Sequence, residues 1–226
     1  MHDIGEQNTR ILGIVRWEPR HATNTDAVIA PLAEATHVSS TDNTLDTLKN
    51  TVAACTRCAL HQTRTQTVFG VGDPNARLMV IGEAPGFHED QQGEPFVGRA
   101  GQLLTAMLKS IHCSREDVYI ANILKCRPPE NRDPLADEVA TCTRYLDEQI
   151  ALVKPRLLLA VGRIAAHYLL KTKSSLESLR GKLHHYGDNQ TPLIITYHPA
   201  YLLRSPQEKK KAYTDLRFAI TTLSSL

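Results

Sequence analysis

The stretch NILKCRPPENRDPLADEVATC, residues 122–142, begins like a buried strand and then turns abruptly polar. Asn122 stands inside the apolar run, Cys126 follows it, and two prolines and a run of charged residues lead to Cys142. Prolines and clustered polar residues after an apolar run indicate that the strand ends there and a loop begins. The segment therefore places an asparagine and one thiol at the strand end, and a second thiol at the far end of the polar stretch.

Three further apolar runs resemble this one. Together the four runs predict buried strands over residues 77–83, 118–124, 156–162 and 192–198. Segments with helical periodicity lie before, between and after them, at residues 45–55, 98–111, 134–153, 162–173 and 205–223. Nearly continuous apolar strands that alternate with helices are typical of a parallel sheet covered on both faces. The sequence thus predicts a three-layer α/β/α sandwich with a central four-stranded parallel sheet.

The length and composition limit the domain count and the compartment. The chain has 226 residues, of which 42% are hydrophobic, enough for one sizeable core. We expect one domain over residues 45–226, preceded by an N-terminal arm or linker over residues 1–44. The net charge of +2 permits a nucleic-acid partner without requiring one. No apolar run approaches the ~20 residues of a membrane span, and the polar start is unlike a signal peptide. We therefore expect a cytoplasmic protein that does not enter membranes.

The predicted strand ends carry polar residues. Glu83, Asn122, Arg163 and His198 each lie at or just after the carboxyl end of one predicted strand. Ligands of open parallel sheets bind beyond these ends. The four side chains are therefore expected at one rim.

The five cysteines suggest a metal site. Cys55 and Cys58 have the spacing C-x₂-C, whereas fifteen residues separate Cys126 from Cys142. In a reducing compartment four such thiols can hold zinc or an iron–sulfur cluster, and the second spacing is not a zinc knuckle. The spacing leaves both metals open, as well as a redox pair at Cys55 and Cys58. Cys113 is expected to be a structural thiol.

Three segments together resemble a known family. GEAPGFHEDQQGEPFVGRAGQLL, NILKCRPPENRDP and YHPAYLLRSP, in this order, resemble the signature segments of the family 4 uracil-DNA glycosylases. The resemblance covers residues 45–224 and includes the cysteine arrangement. It implies a uracil-DNA glycosylase-like fold and a 4Fe–4S cluster held by Cys55, Cys58, Cys126 and Cys142. It also implies a DNA repair enzyme that extrudes uracil from single- and double-stranded DNA, hydrolyses its glycosidic bond and leaves an abasic site. We expect it to act as a monomer.

The resemblance also implies a set of uracil-binding residues. They are Gly82, Glu83, Ala84, Glu89, Phe96, Asn122 and His198. The Asn122 amide would pair with the N3 and O4 edge of the base, because it offers both a donor and an acceptor. Phe96 would stack on the ring, and backbone amides near Gly82 and Ala84 would bond its oxygens. Glu89 would crowd the C5 position and exclude the methyl group of thymine.

Two of these residues are the catalytic candidates. His198 would donate to uracil O2 and stabilise the charge that develops as the bond breaks. Glu83 is the candidate that activates water, because Ala84 occupies the place of the aspartate of family 1 enzymes.

Basic and apolar residues near the rim are the DNA-binding candidates. The loop AYLLRSP would enter the minor groove, where Leu202 or Leu203 would act as a wedge and Arg204 would hold a phosphate. The phosphate contacts expected elsewhere are Arg99, Lys125, Arg127 and Arg132.

Two other functions compete with an enzyme. One is a relative that binds uracil-DNA covalently, but such proteins carry GEQPG and a histidine in a basic insert, whereas this chain has GEAPG and no histidine in RPPENRDP. The other is a non-catalytic zinc module that binds nucleic acid.

Overall fold

The computed structural model describes residues 44–226, so the predicted arm lies almost entirely outside the described residues. In the described part, six strands form one sheet in the order β1-β3-β2-β4-β6-β5. The strands are β1 (Val71–Gly72), β2 (Leu78–Gly82), β3 (Tyr119–Asn122), β4 (Leu157–Val161), β5 (His184–Tyr186) and β6 (Thr191–Thr196). The four central strands are parallel, while β1 and β5 pair antiparallel at the two edges.

One helix precedes the strands, and the others lie between the strands or follow the last one. They are α1 (Leu45–Ala53), α2 (Phe87–Gln92), α3 (Arg99–Lys109), α4 (Ala136–Val153), α5 (Arg163–Leu170), α6 (Leu176–Leu179), α7 (Pro199–Arg204) and α8 (Lys209–Ser225). Helix α1 begins as its sequence predicts, since the Thr44 hydroxyl accepts from the Thr47 amide at 3.2 Å. Among residues 44–226, no helix is long and apolar enough to cross a membrane.

Two apolar layers cover the sheet. Alternate side chains of the central strands, such as Met79 and Ile81 of β2, pack with α1, α4 and α5 on one face. Their neighbours Leu78 and Val80 point the other way and pack with α3, α7 and α8. Every residue of β2, β3 and β4 is buried, as expected of parallel strands covered on both sides. The predicted three-layer sandwich and its central parallel sheet are confirmed.

The structure differs from the prediction mainly at short elements. The edge strands β1 and β5 and the helices α2 and α6 are too short to show a recognisable hydrophobic periodicity in the sequence. Residues 199–204, expected as part of a loop, form α7, because Pro199 is well suited to the first position of a helix and His198 caps it. The predicted minor-groove loop is therefore a helix that ends at Arg204.

A buried ion pair fixes the last helix to the end of β6. Asp215 of α8 accepts two bonds from Arg180, at 2.7 and 3.1 Å, and one from the Thr196 hydroxyl at 2.8 Å. Both charged side chains are shielded from water, with 8% of Arg180 and 2% of Asp215 exposed. The guanidinium also lies 4.0 Å from the ring centroid of Tyr197, the residue before His198. The pair thus braces the strand end that carries the histidine.

Removing one partner of this pair tests its importance. Arg180→Leu should lower the free energy of unfolding by about 3–5 kcal/mol, because it leaves the Asp215 charge buried without a counter-charge. Arg144→Leu, which breaks the exposed pair with Glu148, is the matched control and should change it by less than about 1 kcal/mol. Urea denaturation of both variants measures the difference, and equal effects would contradict the assigned role.

Candidate active site

One pocket of about 780 Å³ opens beyond the carboxyl ends of the central strands. All four polar residues predicted at the strand ends line it, and so do three further residues predicted to bind uracil. These seven are Glu83, Ala84, Glu89, Phe96, Asn122, Arg163 and His198. Gly82 lies directly below the pocket, since a Cβ there would come 2.3 Å from Asn122 Oδ1 and 2.5 Å from Phe96 Cζ. A larger residue at Gly82 would therefore displace both side chains.

Asn122 ends β3 and presents an unpaired acceptor. The residue is 2% exposed, and its Oδ1 is buried with no hydrogen-bond partner among the described residues. A buried polar atom without a partner costs on the order of 1–3 kcal/mol. The backbone of the same residue is fixed, because its carbonyl accepts from Lys125 Nζ at 2.7 Å and β3 pairs it with Gly82 of β2. This arrangement holds a rigid acceptor ready for a ligand that donates.

Phe96 is held in an unusual backbone conformation. Its φ is +56°, in the left-handed region that non-glycine residues rarely adopt. Arg115 donates to the carbonyls of Pro95 and Phe96, at 2.8 and 3.1 Å, and stabilises this turn. Gly101 makes room for it, since a Cβ there would come 1.7 Å from the Phe96 carbonyl oxygen. Arg115 is nineteen residues away in sequence, and no motif marks it.

The aromatic ring of Phe96 lies beside the histidine. The two ring centroids are 5.7 Å apart and the planes are inclined by 35°. The ring is buried, at 7% exposure, although it lines the pocket. A flat ring beside an unpaired amide oxygen is suited to a planar heterocycle.

Glu89 organises the loop around Phe96. Its Oε1 accepts from the amides of Val97 and Gly98, at 2.9 and 3.0 Å, and its Oε2 accepts from Gly86 at 3.2 Å. Both carboxylate oxygens of Glu89 are therefore hydrogen-bonded to backbone amides of the loop. The side chain is neither a solvated surface carboxylate nor only a steric obstacle. The predicted exclusion of a methyl group by Glu89 remains a prediction.

His198 is a neutral donor in this pocket. Its Nδ1 accepts from the Ala200 amide at 3.1 Å, which places the ring proton on Nε2. Burial lowers the pKa of His198 to about 4, with the Arg204 charge acting in the same direction and Glu89 opposing it. The imidazole is thus uncharged at neutral pH. Gly162, at φ +102°, permits the close approach, because a Cβ there would lie 2.9 Å from His198 Cβ.

Glu83 has an acidity suited to proton transfer near neutral pH. Burial raises the pKa of Glu83 to about 7, Asp133 raises it further and Arg163 opposes the shift. A general base is most effective when its pKa lies near the working pH. Asp133 and Arg163 form an ion pair at 2.8 Å and both line the pocket. No local pattern in the sequence indicates this role for Asp133, although the residue belongs to the quoted segment NRDP.

The predicted DNA-binding residues have different environments. Arg204 and Arg99 are exposed, and Arg204 also lines the pocket. The guanidinium of Arg132 forms two bonds to Glu138, at 2.6 and 2.9 Å, and this carboxylate also caps α4. Arg127 lies 5.1 Å from the ring centroid of Phe87.

Two of the DNA-binding predictions are wrong. Lys125 is 1% exposed, and its Nζ donates to Asn122 O and to Gln149 Oε1 at 2.6 Å, so it cannot contact a phosphate. Leu202 is fully buried in the layer that includes α3, which excludes it as a wedge. Leu203 is half-buried, and its role as the residue that wedges into the DNA stays a prediction.

The four cysteines predicted as ligands surround one small pocket. Cys55 and Cys58 follow α1, Cys126 follows β3, and Cys142 lies on α4. Within residues 44–226, no group of three or more His, Cys, Asp or Glu side chains is arranged to hold a metal ion. Arg64 donates to Cys126 Sγ at 3.1 Å, and the Lys125 amide donates to Cys142 Sγ at 3.3 Å.

Comparison with known proteins agrees with this geometry. Residues 69–219 match the model of the uracil DNA glycosylase superfamily. The chain is 41% identical to the type-4 uracil-DNA glycosylase of Archaeoglobus fulgidus over 179 residues, which cover 76% of this chain and 90% of that protein. It is 42% identical to the type-4 enzymes of Pyrobaculum aerophilum (76% and 91% covered) and Thermotoga maritima (71% and 84% covered). The chain belongs to the uracil-DNA glycosylase superfamily and, within it, to the type-4 uracil-DNA glycosylases.

Proposed function

We propose that this uracil-DNA glycosylase extrudes uracil from single- and double-stranded DNA into the 780 Å³ pocket and hydrolyses its bond to deoxyribose with water. The observation that carries the proposal is the buried, unpaired Oδ1 of Asn122 beside the ring of Phe96. Base extrusion is required because the glycosidic bond is inaccessible in the duplex. The product is an abasic site in DNA, the first step of base excision repair.

Base selection follows from the unpaired oxygen. Uracil has a proton on N3 and can donate to Asn122 Oδ1, while its O4 accepts from the amide nitrogen. Cytosine has an unprotonated N3 and an amino group at C4, so its hydrogen-bond donor and acceptor stand in the opposite positions to those of uracil. Binding cytosine would leave the buried amide unpaired, and sites of this kind reject such analogues strongly.

The bond-breaking step uses His198. As the C1′–N1 bond breaks, its electron pair passes to the uracil ring and negative charge develops on O2. The neutral His198 donates from Nε2 to this oxygen, so it stabilises the transition state more than the ground state. Glu83 accepts a proton from water as the water oxygen bonds to C1′. We assign Glu83 this role on its position in the pocket and its raised pKa.

Cations near the pocket can contact the DNA backbone; Arg99 and Arg204 are exposed and Arg127 is half-buried. We assign phosphate contacts to Arg99, Arg127 and Arg204, with Arg132 secondary because Glu138 occupies its guanidinium. Such contacts are independent of sequence and depend on salt. Leu203, at the end of α7, is the candidate for filling the space that uracil leaves.

The four cysteine side chains around one pocket match the number of thiolate ligands that a 4Fe–4S cluster takes. A single zinc ion needs four sulfurs within about 2.3 Å of one point, and the described residues contain no such group. A cluster instead spreads its bonds to four cysteines over several iron atoms. We propose that Cys55, Cys58, Cys126 and Cys142 hold such a cluster, which cross-links α1, the segment after β3 and α4. Two N–H donors to sulfur support thiolate ligands there.

The five cysteines also bear on the compartment. All five lie in the described residues and none forms a disulfide. Thiols that hold iron must stay reduced, which fits a cytoplasmic enzyme bound to DNA. We propose that it acts there as a monomer.

The direct test is uracil release from oligonucleotides. The purified protein should convert single-stranded, U:A and U:G substrates, each with one uracil, to alkali-labile products, and should leave matched thymine and cytosine oligonucleotides intact. A stable protein–DNA adduct without turnover would show a covalent binder instead, and intact DNA without an adduct would contradict the proposal.

His198→Ala should lower the single-turnover rate of uracil release by roughly 10²–10³-fold, because it removes the donor to O2. Affinity for uracil-containing DNA, measured by fluorescence anisotropy, should change little. His185→Ala, at an exposed site on β5, is the control and should match the wild type. Unchanged release by the His198 variant would remove it from the mechanism.

The acidity of Glu83 predicts a pH profile. kcat/KM should rise with pH and level off above about 7, since the carboxylate must be ionised to accept a proton and burial raises its pKa. The ionisation of His198 causes no further change in kcat/KM in this pH range, because its pKa is about 4. Asp133→Asn should move the rise to lower pH and Arg163→Gln to higher pH, while Glu83→Gln should abolish it. A rise that persists in the Glu83 variant would identify another base.

Cys126→Ser should lower iron content and soluble yield together, because it removes one of four proposed ligands and a cross-link. Cys113→Ser is the matched control and should retain iron, since Cys113 lies outside the cysteine pocket. Iron and sulfide analysis with visible absorption measures both. A soluble Cys126 variant with full iron would exclude this residue as a ligand.

A further inference from the structure

An exposed aromatic side chain lies beside the pocket and has no role in the mechanism above. Phe87 is the first residue of α2, and 52% of its surface is exposed, the largest fraction of any large apolar residue in the described part of the chain. Its neighbours Gly86 and Glu89 both line the pocket. The ring therefore lies at the pocket mouth, outside both apolar layers of the fold.

Two side chains fix the orientation of this ring. The guanidinium of Arg127 lies 5.1 Å from the ring centroid, and the His88 ring packs against it edge-on at 5.5 Å. Arg127 Nε donates to Asn131 Oδ1 at 2.8 Å, and Asn131 also lines the pocket. This bond uses one of the five guanidinium donors, so the others can reach a phosphate. The aromatic group comes from α2, which follows β2, and the cation comes from the segment after β3, yet the two side chains are in contact.

We propose that Phe87, with Arg127, forms a subsite for the nucleobase next to the extruded uracil in single-stranded DNA. The inference rests on the proposed function, because it requires uracil in the adjoining pocket. Extruding uracil leaves the neighbouring base without one stacking partner, and an exposed aromatic ring replaces that partner for any base. The cation beside the ring matches the phosphate that joins the two nucleotides. In a duplex the neighbour stays paired and stacked, so the subsite acts mainly on single strands.

Stacking on an aromatic side chain contributes a factor of roughly 5 to 150 in affinity per base. Phe87→Ala should therefore raise KM for a single-stranded uracil oligonucleotide by a factor in this range, with kcat little changed. Phe87→Trp should retain the low KM, because it preserves a stacking surface. For the same sequence in a U:A duplex the increase should be several-fold smaller.

Substrates that lack one base test the contact directly. The full-length, iron-loaded protein is assayed on an oligonucleotide with one uracil among thymines, and on two variants with a tetrahydrofuran abasic residue 5′ or 3′ of the uracil. Removing the base that stacks on Phe87 should raise the wild-type KM about as much as Phe87→Ala does. On that substrate the Ala variant and the wild type should have equal KM values.

The controls separate the possible failures. Tyr213→Ala removes an aromatic side chain of similar exposure, 43%, from α8 and should match the wild type on every substrate. If Phe87→Ala leaves KM unchanged, or raises it equally on all three single strands, the subsite is refuted while the glycosylase remains. If the wild-type protein releases no uracil from any substrate, the proposed function fails and the subsite fails with it.

Discussion

The buried ammonium group of Lys125 joins the two functional regions of this protein. Its Nζ bonds the Asn122 carbonyl and Gln149 Oε1, and its backbone amide bonds Cys142 Sγ. Gln149 in turn donates to the Phe69 carbonyl and the Tyr119 hydroxyl. A buried cation is tolerated only where acceptors surround it, so these contacts must form together. The strand that ends at Asn122 is therefore fixed by the helix that carries Cys142, and the pocket depends on the cysteine region for its geometry.

The pocket combines side chains that are hydrogen-bonded to the backbone with the two side chains that we propose to take part in the reaction. Glu89 and Arg115 are occupied by backbone atoms and fix the turn that carries Phe96. His198 and Glu83 differ from them because burial changes their pKa values. It lowers the pKa of His198 and raises the pKa of Glu83, and both shifts favour the neutral form. His198 is an uncharged donor at neutral pH, and the raised pKa of Glu83 makes its ionised carboxylate a stronger base toward water. Such preorganisation avoids rearrangement of the site during the reaction.

Local patterns predicted the sheet and the four polar strand-end residues of the pocket, whereas Ala84, Glu89 and Phe96 were implied by the family resemblance. Apolar runs identify buried parallel strands, and the residues that follow them must meet at one edge. Lys125 was misplaced because lysine is ordinarily exposed, and only the tertiary contacts with Gln149 show otherwise. Leu202 was predicted to be exposed in a loop because α7 is too short for its hydrophobic periodicity to be recognised in the sequence. Arg115 and Asp133 act on residues distant in sequence, so no local pattern identifies them.

The unpaired oxygen of Asn122 also affects what happens after the bond breaks. The partner proposed for it, the N3 proton of uracil, is remote from the glycosidic nitrogen and is present in the free base as well. Recognition at this edge therefore does not distinguish the base in DNA from the released base. If this proposed contact selects uracil, it also slows the release of the free base, so tighter selection at Asn122 Oδ1 is expected to slow product release. Turnover then depends on how readily water or the next lesion replaces uracil at that oxygen.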